Sequence, residues 1–338
     1  MVQTTTLKFA ASALAGVAIL ALAAPPASAQ AFLPAQGEGA VSILFQDQFF
    51  KYHVIPTAES DGGQIYAKNL LFDVTYGLTD KVAVSVAMPW VATRYSGTAP
   101  HPLADFSGPN PIDDGTWHST AQDVRVDLRY NVTRNLMNKG IVVTPFVGSI
   151  TPSHDYPYFV HAGFGRDLRE VQVGASVAKL FERGIPGLLI QGRYAYGFVE
   201  QVVDISHNRS QASLEAAYFA TPKLRLLALS NGQITHGGID FYGAPSRTLL
   251  PTEVFVHHDQ ILRENILQLG SGASYSLTES FDVYGSWMRA VAQRNGHELN
   301  RGIVVGASWS FTTAHARKSV GTSAENTLAR CLCEKGTK

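Results

Sequence analysis

Between Asp123 and Val132 the chain alternates without a break. Val124, Val126, Leu128, Tyr130 and Val132 are apolar, and Asp123, Arg125, Asp127, Arg129 and Asn131 between them are charged or polar. Successive side chains of a strand point to opposite faces, so this segment as a strand has one apolar face and one ionic face. A helix would scatter the charges around its circumference. The same period of two runs through Phe72-Val74-Tyr76-Leu78, Val82-Val84-Val86-Met88-Trp90 and Leu267-Leu269-Ala273-Tyr275-Leu277, and through Ile303-Val305-Ala307-Trp309-Phe311. The pattern is weaker in the first strand, around 40–53, and around 223–236 and 281–293, where the alternation slips as it does at a β-bulge.

A short repeat punctuates the strands. Tyr76-Gly-Leu-Thr79, Tyr130-Asn-Val-Thr133, Tyr218-Phe-Ala-Thr221 and Tyr275-Ser-Leu-Thr278 each close an apolar run ahead of a short polar turn. Short connections near 79–81, 133–139, 182–187, 221–223 and 278–280 alternate with others near 54–63, 96–117, 153–167, 204–208, 237–259 and 294–297, most of them longer. That rhythm predicts an all-β fold: an antiparallel transmembrane barrel of roughly twelve strands, with short periplasmic turns and longer extracellular loops. Tyr76, Tyr130, Tyr218, Tyr275, Trp309 and Phe311 then form an aromatic girdle at the periplasmic rim. A soluble β-sandwich with tyrosines near its turns is the competing architecture, and it fits the long strands less well.

The N-terminus changes the compartment. Lys8, the apolar run Phe9–Ala24, Pro25-Pro26 and Ala27-Ser28-Ala29 have the order of a cleaved secretory signal, with cleavage before Gln30. The expected organisation is a signal peptide over 1–29, a lead-in over 30–39, the barrel over 40–311 and a disordered periplasmic tail over 312–338. The two cysteines, Cys331 and Cys333, lie in that tail, so no disulfide framework holds the body. The formal net charge is zero, which gives no ground for a nucleic-acid partner. The expected partners are outer-membrane lipid, the outer-membrane assembly machinery and a small-molecule solute. Oligomeric state is not legible, and no cofactor motif is present.

Several of these segments together resemble a known family. They are Gly37-Glu-Gly39-Ala-Val41-Ser42, Tyr76-Gly-Leu-Thr79-Asp80, Met88-Pro89, Asp113-Asp114-Gly115, Gln122-Asp123, Arg129-Tyr130 and the Trp309-Ser310-Phe311 end. The chain is similar over most of 36–311 to the Gram-negative outer-membrane barrels grouped as "MetA-pathway of phenol degradation" transporters. The resemblance implies uptake of small compounds, often aromatic, and brings no catalytic residues. The terminal aromatic strand resembles the barrel assembly signal, from which this chain departs by its polar tail.

Candidate chemistry follows from parity. If Val124 to Val132 face lipid, then Asp73, Asp123, Arg125, Asp127, Arg129, Arg193 and Glu215 face the lumen, with Gln191 beside Arg193. Two readings stay open: a charged constriction that selects solutes, or a ladder of ion pairs that fills a narrow interior. The histidines gather on the long-loop side. His154-Asp155 and His257-His258-Asp259 are candidate metal ligands, weighed against the ordinary loop histidine. Ser230-Asn231-Gly232 superficially resembles an outer-membrane phospholipase site, but Ala228 stands where its histidine belongs. The expected function is therefore non-enzymatic: passive or loop-gated uptake of small, aromatic or hydrophobic compounds. The alternatives are a closed structural or adhesive barrel with His-rich loops and, third, a lipid hydrolase.

Overall fold

A computed structural model describes residues 31–313 except 57, 61–62, 99–100, 133–139 and 243–245. The expected signal peptide, all but the start of the expected tail, and both cysteines lie outside the described residues. The strands are β1 (Glu38–Ile55), β2 (Ala58–Ser60), β3 (Gln64–Thr79), β4 (Val82–Ser96), β5 (His118–Ala121), β6 (Val124–Tyr130) and β7 (Ile141–Thr151). They continue as β8 (Glu170–Phe181), β9 (Leu188–Val199), β10 (His207–Phe219), β11 (Leu224–Gly237), β12 (Asn265–Ser276), β13 (Phe281–Arg294) and β14 (His297–Thr312). Three helical turns, α1 (Ser246–Leu249), α2 (Thr252–Val256) and α3 (His258–Ile261), sit between β11 and β12.

Each strand pairs antiparallel with its neighbours, and β14 returns to β1 from Glu38 opposite Thr312 to His53 opposite His297. β5 and β6 lie end to end against β4, and β2 only extends the edge of β1. The wall is therefore a closed antiparallel barrel of twelve strands. Closure leaves no edge, so the backbone groups of the wall find partners within it.

Burial follows the predicted parity. Leu128 is 54% exposed, while its neighbours Asp127 and Arg129 are 6% and 7% exposed. Every wall strand contributes large apolar residues to the outer surface, among them Phe45, Phe72, Trp90, Val126, Trp287 and Val305. A continuous apolar band of that kind does not face water; it is the lipid-facing surface of a transmembrane barrel. Tyr76, Tyr130, Tyr218, Tyr275, Trp309 and Phe311 all lie on outward-facing parity within a few residues of the short-turn end. Trp309 and Phe311 pack together at 5.7 Å, and Phe311 lies over Gly39, where a Cβ would strike the ring.

Two of the three irregular strands are bulged. The β1–β14 register shifts between Phe49 and Phe50 and again before His53. In β13, Ala290 and Ala292 oppose Gln268 and Leu267 of β12, which leaves Val291 as the extra residue. β11 pairs without a shift on both sides. Its slip is one of composition, since Leu226 and Leu227 face opposite sides and Ser230-Asn231-Gly232 interrupts the apolar run.

The interior is shaped by small residues beside large charged ones. Gly148 stands opposite Asp127, whose carboxylate fills the space a Cβ would need, and the Glu170 carboxylate fills the corresponding space over Gly197. An arginine at position 126 would bring a charge to the lipid face near mid-strand, at about 2–4 kcal/mol at the bilayer midplane. Val126→Arg should therefore cut the heat-modifiable, membrane-assembled fraction sharply. Asp127→Asn, on the inner face, should leave most of it intact, and equal defects would mean that the faces are inverted.

Candidate functional site

The lumen is filled in layers. At the short-turn end the chain preceding β1 turns into the barrel. Ala31 is buried among Val142, Ala178, Leu189, Ala217 and Leu227, with Phe32 packed beside it. Its carbonyl accepts a 2.6 Å hydrogen bond from Thr144 Oγ1. Part of the expected lead-in thus occupies one mouth.

Above it lies the ionic layer. Asp127 accepts from Arg193 Nη2 at 3.0 Å, and the Arg193 guanidinium lies 3.5 Å over the Phe146 ring. Arg129 donates to Thr75 Oγ1 at 3.1 Å and to Ser85 Oγ. Asp73 lies within electrostatic reach of Arg129, Asp127 and Arg125. Glu215, on the neighbouring wall, accepts from Gln191 Nε2 at 2.9 Å. Ala83 and Ala87 line β4 beside the arginines, and their small side chains leave room for the guanidinium groups. Directly beside this layer, on the inner face of β1, β3, β4 and β14, Leu44, Leu71, Ala87 and Val304 cluster against Tyr284.

A belt of amides follows. Gln172 donates to Glu170 at 2.7 Å and to Gln211 at 3.0 Å, and Gln211 donates to Gln233 at 3.0 Å. The belt crosses β9 where Ala195 and Gly197 leave space, and Arg209 pairs with Glu170 at 2.9 Å. No single spacing in the sequence shows this belt; inward parity on adjacent strands is the only signal for it.

At the long-loop mouth the described residues of three connections, 97–117, 152–169 and 238–264, fold inward over the lumen. Asp113 ties the first two together, accepting from the backbone N–H of His101, His161 and Ala162 at 3.0, 3.0 and 3.1 Å. The strand break between β5 and β6 falls where the second loop enters: Gln122 donates to the Phe164 carbonyl at 2.6 Å, and Asp123 accepts from the Tyr156 hydroxyl. The third loop is anchored by Gln260 donating to the Arg166 carbonyl at 2.7 Å and by a buried Arg166–Glu264 ion pair. Burial pushes the Glu264 carboxyl up and the guanidinium pulls it back. A cavity of about 100 Å³ remains between these loops and the β1–β3–β4 wall, lined by Phe50, Val91, Phe164, Asp259 and His297 among others.

Histidines from five places converge above this cavity. His53 stacks on His297 at 4.7 Å, His161 stacks on Tyr95 at 4.8 Å and meets His101 edge-on at 4.5 Å, and His101 stacks on His258 at 5.3 Å. Desolvation holds His258 down at about 4 and His101 well below its ordinary value, so both rings are neutral near pH 7. Desolvation likewise raises Asp259 to about 8. Of the candidate ligands, only His258 and Asp259 join this cluster. His154 bonds to Thr120 and Ser153, and His257 stacks on Tyr158 and bonds to Gln260. Asp155, next to His154, is exposed. The convergence of His53, His101, His161 and His297 had no local signal, because His53 and His297 meet across the β1–β14 seam and His101 and His161 come from two different loops.

The comparisons with known proteins speak to the fold. Neither a family model nor a curated relative matches the sequence. The crystal structure of the COG4313 outer membrane channel from Pseudomonas putida F1 matches with a TM-score of 0.63 at 14% identity, covering 84% of this chain and 98% of that one. The two share a barrel fold. Lower similarities reach the NanC porin, with a TM-score of 0.46 at 11% identity over 80% of this chain and 98% of that one. The beta domain of the Bordetella autotransporter BrkA gives 0.47 at 9% identity over 82% and 100%.

The plug depends on its buried ion pair. Glu264→Ala strands the Arg166 charge, at a cost of about 3–5 kcal/mol. Loops 152–169 and 238–264 should then be cut by protease at least tenfold faster while the barrel stays heat-modifiable. Replacing both partners by methionine should restore most of the protection.

Proposed function

We propose that this chain is an outer-membrane channel for small, weakly polar solutes, closed at rest at both mouths. The observation that carries this reading is the combination of a complete outer apolar band with a lumen that sets ionic and apolar side chains next to each other. Asp127, Arg129 and Arg193 make its ionic part, and Leu44, Leu71 and Val304 with Tyr284 its apolar part. A small ring-bearing compound finds both a packing surface and polar contacts along such a path. The fold shared with the COG4313 channel supports the reading, as does the resemblance to the phenol-degradation transporters. On this reading the short-turn end is periplasmic, the six rim aromatics sit at headgroup level, and the long loops are extracellular. Transport is diffusion down a gradient, since the chain carries no nucleotide motif.

Asp73, Asp123, Arg125, Asp127, Arg129, Arg193 and Glu215 set the width and polarity of the path. The pairing of Arg193 with Asp127 over Phe146 also favours a second reading, in which the ladder fills the interior and the barrel is structural.

Planar-bilayer recording separates the two. The wild-type protein should show a small, intermittent conductance. Replacing residues 31–36 with glycine and serine should raise it several-fold, because Ala31 and Phe32 no longer block the mouth. In that background Arg125→Gln/Arg129→Gln should shift selectivity toward cations. Silence of both the wild-type and the glycine-serine protein would leave the structural reading in place.

A further inference from the structure

His101 and His258 come from different loops, yet their rings lie face to face over Asp259. The His258 ring is held on three sides. Phe241 stacks on it at 4.2 Å, His101 lies at 5.3 Å, and its Nδ1 donates to the Phe255 carbonyl at 2.7 Å. That last bond assigns the tautomer, because a neutral imidazole that donates from Nδ1 presents a lone pair at Nε2. Nε2, on a fully buried ring, lies 3.2 Å from Oδ1 of Asp259, whose side chain is mostly buried. A lone pair and a carboxyl oxygen, largely shielded from water, therefore face each other. Such a contact requires a proton or a cation between them.

The surrounding atoms favour the cation. His101 Nε2 lies 3.8 Å from Asp259 Oδ2, and one ligand atom from each of His101, His258 and Asp259 falls within 4.8 Å of the other two. Metal–ligand bonds of about 2.0–2.2 Å in a tetrahedral zinc site imply ligand separations of about 3.3 Å. His258 Nε2 and Asp259 Oδ2 have no hydrogen-bond partner, nor has His101 Nδ1. The His101 backbone is fixed as well: its N–H donates to Asp113 at 3.0 Å and its carbonyl accepts from Asn110 at 2.7 Å. The Phe255 carbonyl on His258 is the kind of outer contact that orients a metal-binding imidazole.

We propose that His101, His258 and Asp259 form a binding site for a divalent transition-metal ion of the zinc class at the long-loop mouth. Two imidazoles and one carboxylate suit Zn²⁺, Co²⁺, Ni²⁺ or Cu²⁺ and not Mg²⁺ or Ca²⁺, which take oxygen ligands in larger number. Asp259 also lines the cavity beneath, so the fourth position faces a space large enough for water. Because the ligands come from loops 97–117 and 238–264, the ion joins the two across the mouth.

The test uses untagged, folded protein stripped with a chelator. Titration with Zn²⁺ should give one site per chain, unaffected by excess Mg²⁺ or Ca²⁺. Co²⁺ in its place should give the intense visible absorption of a tetrahedral ion. His258→Gln and Asp259→Asn should each weaken Zn²⁺ binding at least tenfold, with heat-modifiability confirming that each variant still forms the barrel. His118→Gln and His154→Gln, outside the cluster, should bind as the wild type does. Zn²⁺ should also slow protease cleavage within 238–264 in the wild type only. If the stripped wild-type protein takes up no Zn²⁺, a shared proton holds the His258–Asp259 contact and the proposal is overturned. It is equally overturned if binding survives in His258→Gln and Asp259→Asn but is lost in His118→Gln or His154→Gln.

Discussion

The contact between β1 and β14 is the constraint from which the rest of the structure follows. In hydrocarbon an unpaired backbone N–H or C=O costs several kcal/mol, so a sheet can enter a bilayer only if its first and last strands meet. Here they meet over almost the whole length of both, from Glu38 opposite Thr312 to His53 opposite His297. Closure fixes which parity faces lipid on every strand at once. Val126, Val86 and Val74 then stand in one outward row, and Asp127, Ser85 and Thr75 in the adjacent inward one. It also gathers the inward side chains into one narrow interior, where an inward charge finds its partner across one or two intervening strands.

That second consequence explains how the lumen is built. Asp127 meets Arg193, Glu170 meets Arg209, and Arg225 meets Asp282 at 3.1 Å near the short-turn end. Breaking such a pair costs more than forming it yields, so the pairs specify the arrangement more than they stabilise it. The two ends are closed differently. The segment before β1 enters one mouth on apolar contacts and one hydrogen bond, whereas the other is closed by three loops tied through Asp113, Arg166–Glu264 and stacked histidines. A closure made of few contacts is the one that opens at least cost.

Much of the architecture was legible because alternation with a period of two is a local property. The inward positions of Asp127, Arg129 and Glu215 follow from the same alternation. β1 and β13 read poorly because bulges between Phe50 and His53 and at Val291 reverse parity within a strand. β11 read poorly although its pairing is regular, because Leu226 and Leu227 are apolar on both faces. The mouth cluster was only half visible. His258-Asp259 is adjacent in sequence, but His101 reaches it only through the folding of two loops around Asp113. The inserted N-terminal segment left a weak trace, the apolar Ala31-Phe32-Leu33 ahead of the first strand.

The central claim is that one parity of every strand faces lipid, and tryptophan depth tests it directly. The chain has four tryptophans. Trp90 and Trp287 lie well inside the outer apolar band and Trp309 near the short-turn rim. Trp117 lies at the long-loop end beside Lys68 and Arg94, each about 5 Å from its ring. Single-tryptophan variants can be folded into vesicles whose lipids carry bromine deep in the acyl chains. The account predicts strong quenching of Trp90 and Trp287, intermediate quenching of Trp309 and the least for Trp117. Equal quenching at all four sites, or Trp117 quenched most, would contradict it.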